Sequence, residues 1–187
     1  MINDINKALE VLKAGGIILY PTDTIWGIGC DAENSKAIEK IYSLKQRAES
    51  KSMIVLVDLS EKLNKYVNFI PDVAWQLIEL TEKPLTVIYP EGINLPNNIL
   101  ADDGSIGIRI VNDEFCKNLI YKLRKPLVST SANLSGQPAP QTFSQIPEAI
   151  KNGVDYIVQW RQTETKRATP SSIIKLEKNN VFKIIRN

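Results

Sequence analysis

The 187-residue sequence predicts an α+β fold of the three-layer α/β/α type, with a twisted, mixed parallel and antiparallel sheet flanked by helices. Three observations predict it. Short, wholly apolar runs alternate along the chain with segments of helical hydrophobic period. The polar loops lie inside that alternation and do not divide it, so residues 1–187 read as one domain. The composition, 43% hydrophobic and 24% charged, is that of a chain able to bury a core, and it excludes a disordered or disulfide-dense scaffold.

From Asn3 to Lys13, Ile5, Ala8, Leu9 and Leu12 recur at helical spacing, with Asn3 placed to cap the helix and Gly15-Gly16 to stop it. Ile17 to Tyr20 is a buried strand halted by Pro21, and loops that follow such strands often carry chemistry. Ser35 to Leu44 is a helix and Met53 to Val57 a second apolar strand, joined by a charged stretch holding Lys45, Arg47, Glu49 and Lys51. Leu59 to Val67 and Val73 to Leu80 read as short helices, Leu85 to Tyr89 and Ile106 to Val111 as strands, and Asp113 to Leu123 as a helix. Leu127 to Ser129 is a brief strand before the polar stretch Ser129 to Gln141. A helix over Ile146 to Lys151 follows, then strands at Tyr156 to Val158, Ser172 to Leu176 and Val181 to Ile185. Strand order is not encoded in these patterns.

Composition excludes several kinds of chemistry. The chain has no histidine, which removes Ser-His-Asp and Cys-His arrangements, His-ligated metals and a histidine general base. Cys30 and Cys116 lack metal or redox spacing and read as buried structural thiols of a reducing compartment. A formal charge of +2 gives no global argument for nucleic acid, so any basic site is local. No apolar run reaches membrane-spanning length and Met1 to Lys13 lacks the zones of a signal peptide, so a cytoplasmic protein is expected. Trp26, Trp75 and Trp160 are expected to pack in the core or at its rim.

Four features concentrate polar chemistry. Tyr20-Pro-Thr-Asp-Thr-Ile-Trp-Gly-Ile-Gly29 places hydroxyls, a carboxylate and two glycines just past a strand; it is a ligand wall or a tight turn satisfied by Asp23 and Thr24. Lys45, Arg47 and Lys51 cluster near a helix C-terminus, where they grip phosphate oxygens or simply pair with the helix dipole. Ser129-Thr-Ser-Ala-Asn-Leu-Ser-Gly136 offers four hydroxyls and an amide in eight residues, as a donor loop or a solvent loop of serine and asparagine turns. Arg109 interrupts an apolar strand and either points outward or is held by an anion, with periodicity favouring the outward orientation. Neither a G-x-x-x-x-G-K-[ST] nor a G-x-G-x-x-G pattern is present.

Taken together, three of these segments resemble the YrdC-like threonylcarbamoyl-AMP synthases. The likeness rests on residues 20–32 as the opening motif, Lys45-x-Arg47 as K-x-R, and Ser131-x-Asn133 within Ser-Thr-Ser-Ala-Asn-x-Ser-Gly-x-Pro. Pro84-Leu-Thr86, Gly107-Ile-Arg109, Ser171-Ser172 and Ile185-Arg186 support it. The chain departs from the pattern at Ala48, at Lys51-Ser-Met53, at Glu82-Lys83-Pro84, and at Val55, where longer members often have histidine. A short member without an extra C-terminal domain is expected.

The resemblance implies a YrdC/RibB-like fold and a nucleotidyltransferase reaction. L-threonine, bicarbonate or CO2, and ATP, with Mg²⁺ expected beside ATP, yield threonylcarbamoyl-AMP and pyrophosphate for N6-threonylcarbamoyladenosine in tRNA. By the same likeness Lys45 and Arg47 are catalytic; Arg47, Lys51, Ser131, Asn133 and Arg186 bind the nucleotide; Thr24, Thr86, Ser129 and Ser171 bind threonine. Asp23 and Asp31 are the candidate carboxylates for a metal, but a Mg²⁺ held mostly by ATP phosphates and water needs few protein ligands, and none is assigned. Downstream tRNA-modification proteins are the implied partners, with weak RNA contact left open. The competing readings are a non-catalytic RNA-binding module, which the charge balance does not favour, and a carbamoyl-adenylate domain of the hydrogenase-maturation type. Because only arginine presents an always-charged fork, Arg47→Lys is expected to lose much of the turnover, as measured by pyrophosphate release.

Overall fold

In the computed structural model, which describes residues 1–46, 53–165, 168–177 and 181–187, helix α1 (Ile2–Lys13) buries Ile5, Ala8 and Leu12 along one stripe. It stops where Gly15 takes a φ of +76°, a left-handed turn that glycine adopts without strain. Its start differs from expectation. Met1 holds the cap position and Asn3 lies inside the first turn. The Asp4 carboxylate accepts from the Tyr156 hydroxyl at 2.6 Å and the Gln159 backbone N–H at 3.0 Å, tying the helix to a distant segment.

Strand β1 (Ile18–Tyr20) is followed by β2 (Gly27–Gly29), inside the segment read from sequence as a wall or turn. Helix α2 (Ser35–Lys45) is capped by the Asn34 side chain, which accepts from the Ala37 N–H at 3.2 Å, and strand β3 (Ile54–Val57) comes next. The expected helix over 59–67 is split into a 3-10 turn (Ser60–Lys62) and a four-residue helix α3 (Leu63–Tyr66). Then come α4 (Asp72–Leu80), β4 (Leu85–Tyr89), β5 (Ile106–Ile110) and α5 (Glu114–Leu123). Asp113 caps α5 by accepting from the Cys116 N–H at 2.9 Å. Strand β6 (Leu127–Ser131) runs two residues beyond expectation, and α6 (Glu148–Gly153), β7 (Tyr156–Ile157), β8 (Ser172–Leu176) and β9 (Phe182–Arg186) complete the chain.

The strands form one mixed sheet of order β7-β1-β2-β6-β3-β5-β4-β8-β9. Pairs β1/β7, β3/β5 and β4/β8 are parallel and the others antiparallel. Register is what builds a site. Leu56, Arg109, Thr86, Ile173 and Arg186 are successive cross-strand partners from β3 to β9, so their side chains project from the same face. Ile54 pairs with both Gly107 and Ser129, and Ser131 pairs with Gly27, which brings the two serines onto that face as well.

Gly29 lets β2 lie against β6. A Cβ there would fall well inside contact distance of the Val128 carbonyl oxygen and 2.7 Å from Tyr20 Cε1. Because the obstruction is backbone, Gly29→Ala is expected to cost about 3 kcal/mol and lower Tm by roughly 6–12 °C in a thermal melt.

Cys30 and Cys116 are fully buried and unpaired, and burial raises both thiols from their ordinary range, in keeping with a packing role. Trp26 is buried with its ring 4.9 Å from that of Phe143, and Trp75 packs partly buried against the core. Trp160 differs from expectation and is 43% exposed. Among the described residues, no helix is long and apolar enough to cross a membrane.

Candidate functional site

Two adjoining cavities open on the register row. The smaller, about 230 Å³, is lined by Thr24, Arg109, Ser129, Ser131, Ser171 and Arg186, with Met53, Ile54 and Ile173 as apolar wall. The larger, about 720 Å³, is lined in part by Asp23, Lys83, Gln141, Thr142, Arg161 and Asn187. Thr24, Trp26, Pro170 and Arg186 belong to both and form the wall between them.

Arg109 is the feature that periodicity misplaced. It does alternate away from Ile108 and Ile110, but the face it points to is the cavity and not solvent, and it is 3% exposed. Its Nη2 lies 3.1 Å from Asp23 Oδ1. The pair is close without being aligned, and among the described residues neither Arg109 Nε nor Asp23 Oδ1 has a hydrogen-bond partner. A buried guanidinium with an unused N–H beside a cavity is poised for an anionic ligand. Asp23 Oδ2 also accepts from the Asn112 N–H at 3.1 Å, fastening the loop after β1 to the end of β5.

Arg186 forms the second cationic wall. Its Nε donates to the Ser171 carbonyl at 2.9 Å, and no carboxylate pairs with it among the described residues. Arg186 is exposed on β9, but its guanidinium is partly desolvated at the cavity, and that desolvation, then the positive charge of Arg109, lowers its pKa from the ordinary guanidinium value. Two guanidiniums that disfavour each other across a cavity are relieved when an anion enters.

The hydroxyls are held by local bonds. Thr22 Oγ1 donates to the Ile25 carbonyl at 2.8 Å and accepts from the Thr24 N–H at 3.0 Å, with Thr24 Oγ1 a further 3.0 Å contact. The loop is a tight turn, but its local backbone groups are satisfied by Thr22 and not by the Asp23 and Thr24 side chains expected from sequence: among the described residues Thr24 Oγ1 meets only Thr22 Oγ1, and Asp23 reaches across to Arg109 and the Asn112 N–H. Ser171 Oγ lies 2.8 Å from Thr86 Oγ1, and Thr86 is wholly buried behind it and absent from the lining.

Lys45, the last residue of α2, is 1% exposed. Its Nζ donates to the carbonyl oxygens of Ser131 and Asn133, the latter at 2.6 Å, with Asn133 Oδ1 at 3.5 Å. The Asn133 amide in turn donates to the Leu134 and Gln137 carbonyls at 3.0 and 2.6 Å. Lys45 and Asn133 thus lie under the loop whose Ser131 lines the cavity. Arg47 and Lys51 lie outside the described residues.

The structure therefore gathers Thr24, Ser129, Ser131, Ser171 and Arg186 around one cavity and places Lys45, Thr86 and Asn133 directly behind it. Among the described residues no cluster of three His, Cys, Asp or Glu could hold a metal. Asp23 is engaged by Arg109 and Asn112, and Asp31 by Lys125 at 2.7 Å and the Glu33 N–H at 2.9 Å.

The mixed-sheet α+β fold thus carries a hollow lined by two arginines and several hydroxyls, a lining that suits a small anionic ligand. The chain belongs to the Sua5/YciO/YrdC family, whose sequence model, described as telomere recombination, matches residues 10–187. It is similar to the threonylcarbamoyl-AMP synthase of Psychromonas ingrahamii, with 35% identity over 153 residues, 80% of this chain and 80% of that one. It resembles the Escherichia coli YciO structure with TM-score 0.86 and 26% identity, over 100% of this chain and 90% of that one. It resembles P. abyssi Sua5 complexed with L-threonine with TM-score 0.83 and 25% identity, over 95% of this chain; it spans only about half, 52%, of that longer protein.

Proposed function

We propose that residues 1–187, acting as a single domain, are a threonylcarbamoyl-AMP synthase that converts L-threonine, bicarbonate or CO2, and ATP into threonylcarbamoyl-AMP and pyrophosphate. The observation that carries this reading is the convergence of Arg109 and Arg186 with Thr24, Ser129, Ser131 and Ser171 on one cavity adjoining a wider one. The family relationship and the similarity to synthases and to a threonine-bound structure support it.

The smaller cavity is sized for an amino acid. Arg109 takes the threonine carboxylate, and Ser129, Ser171 and Thr24 orient the threonine amine and hydroxyl, with Thr86 fixing the Ser171 rotamer. The wider cavity takes the nucleotide, with Arg186 in the shared wall and Ser131 reaching its phosphates from the smaller cavity. The neutral threonine amine forms an N–C bond to CO2 and gives up one proton to water or bicarbonate, leaving a carbamate. A carbamate oxygen then forms a bond to the α-phosphorus while the bond from that phosphorus to the β-phosphate bridging oxygen breaks, releasing pyrophosphate. No side-chain nucleophile or histidine base enters. The protein supplies alignment and positive charge where oxyanion charge builds. Lys45 acts by holding Ser131 and Asn133, and Arg47, by the K-x-R likeness, and Lys51, by the wider family resemblance, carry phosphate charge. Mg²⁺ would arrive on the ATP phosphates and water, since Asp23 and Asp31 are engaged elsewhere. The unstable product is handed to proteins that modify tRNA.

Pyrophosphate release is the test. It should require L-threonine, bicarbonate and ATP together, with omission of any one returning it to background. Release dependent on carbamoyl phosphate in place of threonine and bicarbonate would assign the site to carbamoyl-adenylate chemistry. Salt-sensitive RNA binding without release would assign it to an RNA module.

A further inference from the structure

Arg161 is absorbed by none of the motifs that point to the reaction, yet it joins three separated parts of the chain. Its Nη1 donates to the Thr22 carbonyl at 3.1 Å and to Asp113 Oδ2 at 2.9 Å, and its Nε donates to Glu164 Oε1 at 2.8 Å. It does so from a backbone φ of +70°, a left-handed conformation disfavoured for any residue with a Cβ. Such a conformation persists where surrounding contacts over-determine it. Asp113 uses its other oxygen to cap α5, and Cys116 in the first turn of that helix donates its Sγ–H to the Pro21 carbonyl at 3.4 Å. Consecutive carbonyls of the loop after β1, at Pro21 and Thr22, are thus held by the head of α5 and by Arg161, and the next residue, Asp23, grips Arg109.

We propose that Arg161 is a positioning residue: it clasps the Pro21–Thr24 loop to the cap of α5, setting Thr24 and the Asp23–Arg109 pair at the threonine cavity. This rests on the reading of the smaller cavity as the threonine site. Arg161 lines the wider cavity, so direct contact with the nucleotide is the alternative the test must separate.

Arg161→Gly is the informative substitution, because glycine accepts the positive φ while the guanidinium is lost. The expected result is a fold that melts within a few degrees of the parent and a KM for L-threonine raised about 10- to 100-fold, with the KM for ATP moved less than about 2-fold. Asp113→Asn keeps the cap and loses the charge pair; it should raise the same KM, and the double variant should be no worse than Arg161→Gly alone. A rise in the KM for ATP, an unchanged KM for threonine, or additive effects would each overturn the proposal. Hydrogen exchange gives a readout free of the reaction: the Thr24 amide should exchange about 10-fold faster in Arg161→Gly while the sheet is unchanged. Unaltered exchange would refute the clasp even if the synthase reading holds. Accelerated exchange in a protein lacking threonine-dependent turnover would keep the clasp and sink the reading.

Discussion

Arg109→Met is expected to reduce threonine-dependent pyrophosphate release about 10²–10³-fold, the loss that follows removal of one partner from a buried charge pair. The same substitution strands the Asp23 carboxylate, which is 9% exposed and draws its positive neighbour from Arg109, so the protein should also melt earlier. The two effects can be separated. In Asp23→Asn/Arg109→Met no buried charge is left unpaired, and thermal stability should largely return while activity does not. Arg109→Lys keeps the charge but presents a shorter point cation in place of a planar fork, and it should restore only a small part of the rate. Full activity in the double variant would mean that the threonine carboxylate is held elsewhere.

Lys45→Met is expected to have an effect of similar size by a different route. The ammonium is the donor that draws the Ser131 and Asn133 carbonyls together at the end of β6. Without it, buried carbonyls lose a charged donor, and each unsatisfied group costs about 1–3 kcal/mol. The Ser131–Gln137 turn should loosen, with its amides exchanging faster, and turnover should fall at least 10²-fold as Ser131 leaves its place. Lys45→Arg should not rescue, because a wider guanidinium does not fit a site where the lysine is 1% exposed. Normal turnover in Lys45→Met would remove the lysine from the machinery altogether.

Much of the framework was readable because it is local. The apolar run 18–20, the helical period of 35–45 and the strands 85–89 and 172–176 follow from patterns within a few residues. Strand β2 was not readable: Gly-Ile-Gly has little strand character of its own and is a strand only because β1 and β6 flank it. The cap assigned to Asn3 failed because nothing local distinguishes it from a residue one turn into a helix that begins at Met1. Arg109 shows the deeper limit. Its alternation in β5 was legible, but whether that face meets water or a cavity depends on Asp23, far away in sequence, and on which strands lie beside β5. Thr86, grouped with the threonine ligands by motif, stands behind Ser171 for the same reason: β4/β8 pairing, not local sequence, decides which hydroxyl is in front. Arg161 carried no signal except its charge, since its significance lies in a backbone conformation and three partners.

Whether one hollow on the sheet face holds threonine against the nucleotide is visible in a crystal structure of the protein soaked with L-threonine and a non-hydrolysable ATP analogue. The threonine carboxylate should lie within hydrogen-bond distance of Arg109, with its amine beside Ser129 or Ser171 and the nucleotide phosphates reaching Arg186 and Ser131. Threonine bound away from Arg109, or a nucleotide bound where no phosphate approaches the shared wall at Arg186, would contradict the account.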